Sequence, residues 1–235
     1  MFRVNVEGTR LVADAAAEAR LVHTSSAAAL GEAEGDVGDE STVATGLWNS
    51  RYARSKWEAE NLLAGLTDRQ DLVLVNPSSV QGPGRASGTG RLLLALMGGR
   101  LRTLVETRLS IVDIDDCARG HLLAASRGQP GRRYVLNSFS MTLSEVVALI
   151  AEIVGRDLGV RYLPPMVAKI GGATAGGLLR VLGRDAPLCL ESARTFLHGH
   201  IYDGSRATRE LGLTYTSADA TFRGLFDWAR ETGKL

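Results

Sequence analysis

The sequence has few cysteines, little net charge and no long apolar run at its start, and each shortage argues against a class of protein. It contains two cysteines, Cys117 and Cys189, in 235 residues. Their spacing fits neither a metal motif nor a redox motif, so we expect a reducing, cytoplasmic setting. The formal net charge is +1, whereas a dedicated nucleic-acid binder normally carries a basic surface. The opening residues, Met1 to Glu7, lack the apolar segment of a secretory signal peptide.

The order of apolar segments predicts an α/β fold. Residues 71–76 form a nearly continuous apolar run, which is typical of a parallel strand buried on both faces. Thr142 and Glu145 form a capping box that opens a helix, and Gly155 ends that helix. Apolar periodicity and propensity predict a strand at 21–24 and further helices at 2–20, 52–66, 115–127 and 218–231.

Tyr52 and Lys56 stand four residues apart on one predicted helix, so about one helical turn separates their side chains. A neighbouring ammonium favours the phenolate and is expected to lower the pKa of Tyr52. Ser25 or Ser26, at the end of the preceding strand, would bond the same substrate oxygen. This arrangement predicts a proton-transfer site for interconverting an alcohol and a ketone.

Five short segments occur in an order and at spacings that indicate one protein family: Val4–Thr9, Val22–Ala27, Tyr52–Lys56, Val75–Gly84 and Val112–Ala118. With them the chain resembles an extended short-chain dehydrogenase/reductase of the NAD-dependent epimerase/dehydratase family. The branch it resembles most holds dihydroflavonol reductases, 3β-hydroxysteroid dehydrogenases and hopanoid-associated sugar epimerases.

The resemblance implies a partial Rossmann-like, doubly wound parallel sheet with a smaller α/β substrate-binding region. Residues 1–137 would form the carboxyl-side part of an NAD(P)-binding domain, and residues 138–235 would mainly bind substrate. Residues 78–108 would contribute to the substrate side. The implied cofactor is NAD or NADP, and the implied partners are a small-molecule substrate and a second copy of the chain.

The resemblance also assigns roles to single residues. Tyr52 would be the acid/base, Lys56 would hold the nicotinamide ribose, Ser26 would orient the substrate with Ser25 as the second choice, and Asn5 would support the catalytic group. Cofactor contacts are implied for Thr24, Ser25, Tyr52, Lys56, Pro77, Ser78, Ser79 and Val80.

The glycine-rich turn that carries a dinucleotide pyrophosphate is not recognisable in the sequence. Gly171–Gly177 has no strand directly before it, and Gly82–Gly84 lacks the third glycine. In the resembled family this turn lies upstream of the Asn5 motif. We therefore expect the chain to be the carboxyl-side portion of a longer enzyme. We also expect an open edge on the strand before Ser26, marginal stability and weak cofactor binding.

No metal site is predicted. Asp115 and Asp116 are better explained as capping and structural groups at a helix start. His198 and His200 would share one face of a strand, but the sequence shows no third ligand beside them.

The substrate is predicted to be small and largely apolar. Related sugar-nucleotide enzymes often carry an Arg-Asp pair where Leu109 and Ser110 stand, and Arg108 is one place early. The apolar segment 165–183 suits an apolar lid, a subunit contact or a membrane-touching helix. It is short for a membrane span, so no stable membrane insertion is expected. A nucleotide-sugar epimerase or dehydratase, and a non-catalytic or truncated NAD(P)-binding-fold protein, remain alternatives.

Overall fold

The computed structural model describes residues 1–16, 18–163 and 195–235. Its helices are α1 (Gly8–Ala15), α2 (Arg51–Ala64), α3 (Thr89–Met97), α4 (Ile114–Arg127), α5 (Leu143–Val154) and α6 (Ala218–Glu231). Its strands are β1 (Leu21–Thr24), β2 (Val37–Gly38), β3 (Leu72–Pro77), β4 (Ser79–Gln81), β5 (Thr103–Val105), β6 (Arg108–Asp113), β7 (Arg133–Leu136), β8 (Phe139–Thr142), β9 (Arg161–Leu163) and β10 (Ile201–Tyr202). A π-helical turn, Arg3–Glu7, leads into α1.

The central sheet is parallel and has the order β1-β3-β7. All six residues of β3 are buried, as expected for an inner parallel strand covered on both faces. Leu72 and Leu74 pack with Leu63 of α2 on one face, while Val73 and Val75 pack with Ala124 of α4 on the other. The carboxyl ends of the three strands therefore meet at one edge of the sheet.

A second sheet, with the order β4-β6-β8, continues from the first, because β4 begins two residues after β3 ends. In it β4 runs parallel to β6, and β8 runs antiparallel to β6. The strands β5 and β9 form one further parallel pair, and β2 and β10 form another. The largest apolar cluster lies between α3, α5 and α6 and is centred on side chains such as Leu93, Ile150 and Phe222.

The predicted α/β class with a parallel sheet is confirmed, and so is the capping box of α5. The Thr142 side chain accepts from the Glu145 backbone, the Glu145 side chain accepts from the Thr142 backbone, and Gly155 ends the helix with φ 74°. The helix predicted over 2–20 ends at Ala15. The capping residue of α4 is Asp113, which accepts from the backbone N–H of Asp115.

Two further predictions concern the edge of the sheet and the membrane. Within the described ranges β1 pairs with β3 alone, so its other edge carries no ladder, as expected. None of the helices in the described part of the chain is both long enough and apolar enough to cross a bilayer. The segment 165–183 lies outside the described residues, and the division at residue 137 stays a prediction.

Candidate active site

The first turn of α2 presents Tyr52 at the surface. Ser50 caps the helix, since its Oγ accepts from the backbone N–H of Ala53 at 3.1 Å. This cap fixes where the helix begins and so places Tyr52 in its first turn, where the residue is 40 % exposed. Trp48, just before the cap, packs on Trp57 of the same helix with ring centroids 5.2 Å apart.

Lys56, one turn along α2, reaches the carboxyl end of β1. Its Nζ donates to the backbone oxygen of Thr24 at 3.0 Å. Burial lowers the pKa of the Lys56 ammonium, and the nearby Glu60 carboxylate opposes that shift. The backbone of Lys56 therefore belongs to the Tyr52 helix, while its ammonium is bound at the end of β1.

The two candidate serines point to different partners. Ser25 is buried, and its hydroxyl donates to the Glu60 carboxylate. Ser26 is only partly buried, and its Oγ accepts from the backbone N–H of Ala28 at 3.3 Å in a short 3₁₀ turn. The extended backbone at this point sends alternate side chains to opposite sides, so the structure commits Ser25 to the interior and leaves Ser26 on the outer side.

Asn5 reaches Tyr52 through an intermediate residue. Its Nδ2 donates to Ser55 Oγ at 2.9 Å, and Ser55 Oγ donates to the backbone oxygen of Tyr52 at 2.8 Å. Ser55 was missed by the sequence analysis, although it lies inside the Tyr52–Lys56 motif. The hydroxyl of Ser55 is buried in the helix interface, and this burial depends on tertiary packing.

Glu60 is a second missed residue and lies behind the site. It accepts from Ser25, from Asn76 Nδ2 at 2.5 Å and from Arg133 at 3.5 Å. Burial raises the pKa of Glu60, while these donors act in the opposite direction. Because its partners come from the ends or neighbourhoods of β1, β3 and β7, Glu60 ties the three strands of the central sheet to α2. A carboxylate on the buried face of α2, beside Ala59 and Leu63, was the available signal.

The predicted cofactor segment 77–80 spans both sheets. Pro77 is the last residue of β3, whereas Ser79 and Val80 belong to β4 and pair with β6. The backbone N–H of Ser78 donates to Leu136 at 2.9 Å. The Ser78 hydroxyl is buried and has no hydrogen-bond partner within the described part of the chain, so it could bond a ligand at the strand ends.

An open cleft of about 370 Å³ lies between α1 and β1. Of the predicted site residues, Asn5, Thr24 and Lys56 line it, together with His23. Burial, followed by the Lys56 charge, lowers the pKa of His23 to about 4, and the buried Nε2 atom of His23 has no partner in residues 1–16, 18–163 and 195–235. An ammonium held beside the polar side chains of Asn5 and Thr24 fits the hydroxyl-rich ribose of a nicotinamide dinucleotide. Asn5, Thr24, His23 and Lys56 are the residues that would hold it.

Two carboxyl clusters outside this cleft differ in kind. Asp116 is buried and accepts from the backbone N–H and hydroxyl of Thr216 at 2.6 and 3.0 Å, a structural role that agrees with the prediction for this residue. Elsewhere, the fold brings His198 and His200 together with Glu32, so that their ligand atoms lie within 4.8 Å of one another. Glu32 is a third potential ligand beside the two histidines, and the sequence pattern did not reveal it.

The chain is similar in sequence and in structure to several known proteins. It is 30 % identical to a candidate dihydroflavonol 4-reductase of Synechocystis sp. over 99 % of this chain and 71 % of that protein. It is 32 % identical to sterol demethylase protein B of Methylococcus capsulatus over 100 % of this chain and 74 % of that protein. The crystal structure of gox2253 superposes with a TM-score of 0.83 at 29 % identity, covering 100 % of this chain and 74 % of that one.

The family assignment rests on the amino-side half together with these relatives. Residues 1–136 match the model of the NAD dependent epimerase/dehydratase family. This matched range contains α1, β1, α2, β3 and the site built on them. The family's cofactor agrees with the predicted NAD or NADP, and the parallel α/β fold agrees with the predicted class. The chain belongs to the NAD-dependent epimerase/dehydratase family.

Proposed function

We propose that the protein is an NAD(P)-dependent oxidoreductase that interconverts a ketone and a secondary alcohol. The observation that carries this proposal is the 3.0 Å hydrogen bond from Lys56 Nζ to Thr24 O. It places the ammonium at the carboxyl end of β1, one helical turn from the partly exposed phenol of Tyr52. Ligands bind at this end of the strands in open parallel α/β sheets.

The division of labour in the proposed reaction follows from these positions. The nicotinamide, when bound, supplies the hydride that adds to the carbonyl carbon. Tyr52 gives its phenolic proton to the carbonyl oxygen, which yields the alcohol and a tyrosinate that regains a proton from water. Lys56 stabilises the tyrosinate electrostatically, and Ser26 hydrogen-bonds the substrate oxygen. The oxidative direction reverses each transfer.

A largely apolar substrate is the second part of the proposal. Leu109 is buried in the apolar core, and the Ser110 hydroxyl is bonded to Ser140 and to the backbone of His200. Neither residue carries the positive charge that would bind the diphosphate of a sugar nucleotide. The names of the two relatives refer to a dihydroflavonol and a sterol, and both are ring compounds with extensive apolar surface.

The test is a screen of cyclic and aromatic ketones and alcohols, which follows the nicotinamide absorbance with NAD(H) and NADP(H). Because weak cofactor binding is expected, the cofactor is supplied in large excess. We then expect turnover in the wild type and a loss of at least about 100-fold in Tyr52→Phe, because acid/base groups contribute about 10²–10⁴-fold. Tyr162→Phe is the matched control, since Tyr162 is 39 % exposed on β9 and should retain activity. Equal activity in Tyr52→Phe and the wild type would refute the assignment.

A nucleotide-sugar epimerase or dehydratase is the second candidate, favoured by the matched family model. It would use the same three side chains on a transient keto intermediate and would show no net cofactor turnover. Product analysis with a sugar nucleotide separates the two reactions. A non-catalytic NAD(P)-binding protein would show no turnover in either assay, and its Tyr52→Phe variant would keep its biological effect.

We also propose a homodimer that works in the cytoplasm. α1 lies beside α2 and exposes Leu11 at 60 % and Val12 at 57 %, an apolar face suited to a helix seam between subunits. Light scattering tests this: a Leu11→Glu variant should shift the mass from dimer to monomer, and a wild-type monomer would contradict the proposal.

A further inference from the structure

We propose that Glu32, His198 and His200 form a binding site for a divalent transition-metal cation of the zinc class. Glu32 follows the short 3₁₀ turn after β1, and the two histidines lie directly before β10. The fold joins them across 168 residues of sequence. Two imidazoles and one carboxylate are a donor set that suits zinc, cobalt or nickel and does not suit magnesium or calcium.

The distances are close to those of a coordination sphere. Glu32 Oε1 lies 2.5 Å from His200 Nδ1 and 3.7 Å from His198 Nε2. Donor atoms bound tetrahedrally at about 2.0–2.2 Å from zinc lie about 3.3 Å apart. The shorter distance must widen and the longer one must shrink slightly, and both movements are within the reach of side-chain rotation. The cation would replace the hydrogen bond that now joins Glu32 Oε1 to His200 Nδ1.

Burial supplies an independent reason to expect a ligand. The Glu32 side chain is 2 % exposed, and its Oε2 has no hydrogen-bond partner among the described residues. A buried carboxylate with an unsatisfied oxygen is costly unless a cation or donor compensates it. A divalent ion compensates the carboxylate and uses the lone pairs of both imidazoles.

Tyr202 completes the surroundings. Its hydroxyl lies 3.0 Å from His200 Nδ1, and its ring stacks on the His200 ring with centroids 5.6 Å apart. Tyr202 is buried and so limits the orientations of that imidazole. Because Nδ1 would bind the cation, the phenol would hold the His200 ring in place through this stacking and no longer through the hydrogen bond.

The position links the cation to the start of the Tyr52 helix. Glu32 and His200 line a small cavity with Trp48, Asn49 and Ser50, and Ser50 is the cap of α2. A cation here would join residue 32 of the long loop to the segment that enters β10. Binding should therefore raise thermal stability, because the ligand binds the folded state and this cross-link is absent from the unfolded chain.

The experiment uses the full chain after chelator treatment and measures Zn²⁺ and Co²⁺ binding by calorimetry, melting temperature and visible absorption. We expect one cation per chain, a raised melting temperature and the absorption bands of tetrahedral Co²⁺. Glu32→Gln and His198→Asn should each weaken binding by at least about 100-fold, since loss of an outer partner alone costs about 10- to 100-fold. His121→Asn, which removes a histidine outside the site, should bind like the wild type.

A simple hydrogen-bonded Glu–His pair gives a different result. In that case chelated wild-type protein shows neither a Co²⁺ spectrum nor a metal-dependent rise in melting temperature, and the proposal is overturned. Binding that persists unchanged in both ligand variants overturns it as well. Because the Co²⁺ spectrum of the wild type needs no variant, misfolding of Glu32→Gln leaves the test intact, and none of these readouts depends on turnover.

Discussion

Asn5 Nδ2 and Ser55 Oγ are joined by a 2.9 Å hydrogen bond, although 50 residues separate them in sequence. Since Ser55 Oγ also donates to Tyr52 O, the asparagine would be a positioning residue in the proposed reaction and would act on Tyr52 through the helix backbone. The turn before α1 is thereby connected to the turn that presents the phenol.

The Asn5–Ser55 contact is expected to be energetically coupled. Asn5→Ala and Ser55→Ala should each destabilise the fold by about 1 kcal/mol, the net value of one hydrogen bond. The double variant should lose clearly less than the sum of the two. Urea unfolding of the four proteins measures the coupling. Strictly additive losses would show that the bond contributes nothing.

Glu60→Ala is expected to destabilise the protein by about 2–4 kcal/mol, because it leaves Ser25, Asn76 and Arg133 without their shared acceptor. Urea unfolding measures this loss. Glu58→Ala, on the same helix but in a more exposed pair with Arg54, should cost less than about 1 kcal/mol. A similar loss in both variants would contradict a special role for Glu60.

The pH dependence of stability carries a signature of Glu60. Its pKa is raised in the folded state, so the folded protein keeps this proton to higher pH than the unfolded chain does. That stabilising contribution is present at low pH and is lost as pH rises above the ordinary glutamate value. The free energy of unfolding, measured from pH 4 upward, should therefore fall less with pH in Glu60→Gln than in the wild type.

His23 is expected to act in the opposite direction. Its folded pKa is about 4, against 6.5 for the ordinary side chain. Between these values the unfolded chain binds a proton and the folded protein does not, so stability falls as pH is lowered from 6.5 to 4. His23→Gln should flatten this part of the curve. The NMR titration of His23 should shift to higher pH in Lys56→Met, and an unchanged midpoint would remove Lys56 as a cause.

Substitution of two glycines by alanine should change the stability of the fold in opposite directions. A Cβ at Gly204 would lie 2.6 Å from the backbone oxygen of Asn137 and 2.7 Å from the Tyr215 hydroxyl, so Gly204→Ala should destabilise by about 1–3 kcal/mol. A Cβ at Gly8, the first residue of α1, meets nothing closer than 3.9 Å. Gly8→Ala should stabilise by up to about 1 kcal/mol. Thermal melting of both variants measures the contrast.

Local patterns in the sequence were sufficient for the parts of the molecule that short-range rules determine. The Thr142–Glu145 box and the spacing of Tyr52 and Lys56 lie within single helical turns, and the apolar run of β3 follows from burial on both faces. Each of these patterns involves neighbours in the chain, so each could be recognised before the structure was known.

The parts that were missed depend on contacts between distant segments. The alanine-rich stretch after Ala13 has high helix propensity, yet α1 ends at Ala15, and Gln70 donates to the backbone oxygens of Ala13 and Ala16. Glu60 accepts hydrogen bonds from residues at the ends of three strands. Glu32 lies beside His198 and His200 only because of the tertiary fold. Periodicity carries no information about such pairings.

The edge of β1 that carries no ladder within the described ranges has a consequence for solvent exchange along that strand. The N–H groups of Leu21 and Ser25 are bonded to the β3 side, at 2.8 Å each, so the alternation of a strand turns those of Val22 and Thr24 outward. Deuterium should enter these two amides quickly and their neighbours slowly. A single four-residue strand would thus contain both fast-exchanging and slow-exchanging amides. An extended segment that pairs with the outer edge of β1 would slow the exchange of Val22 and Thr24 to the rate of their neighbours.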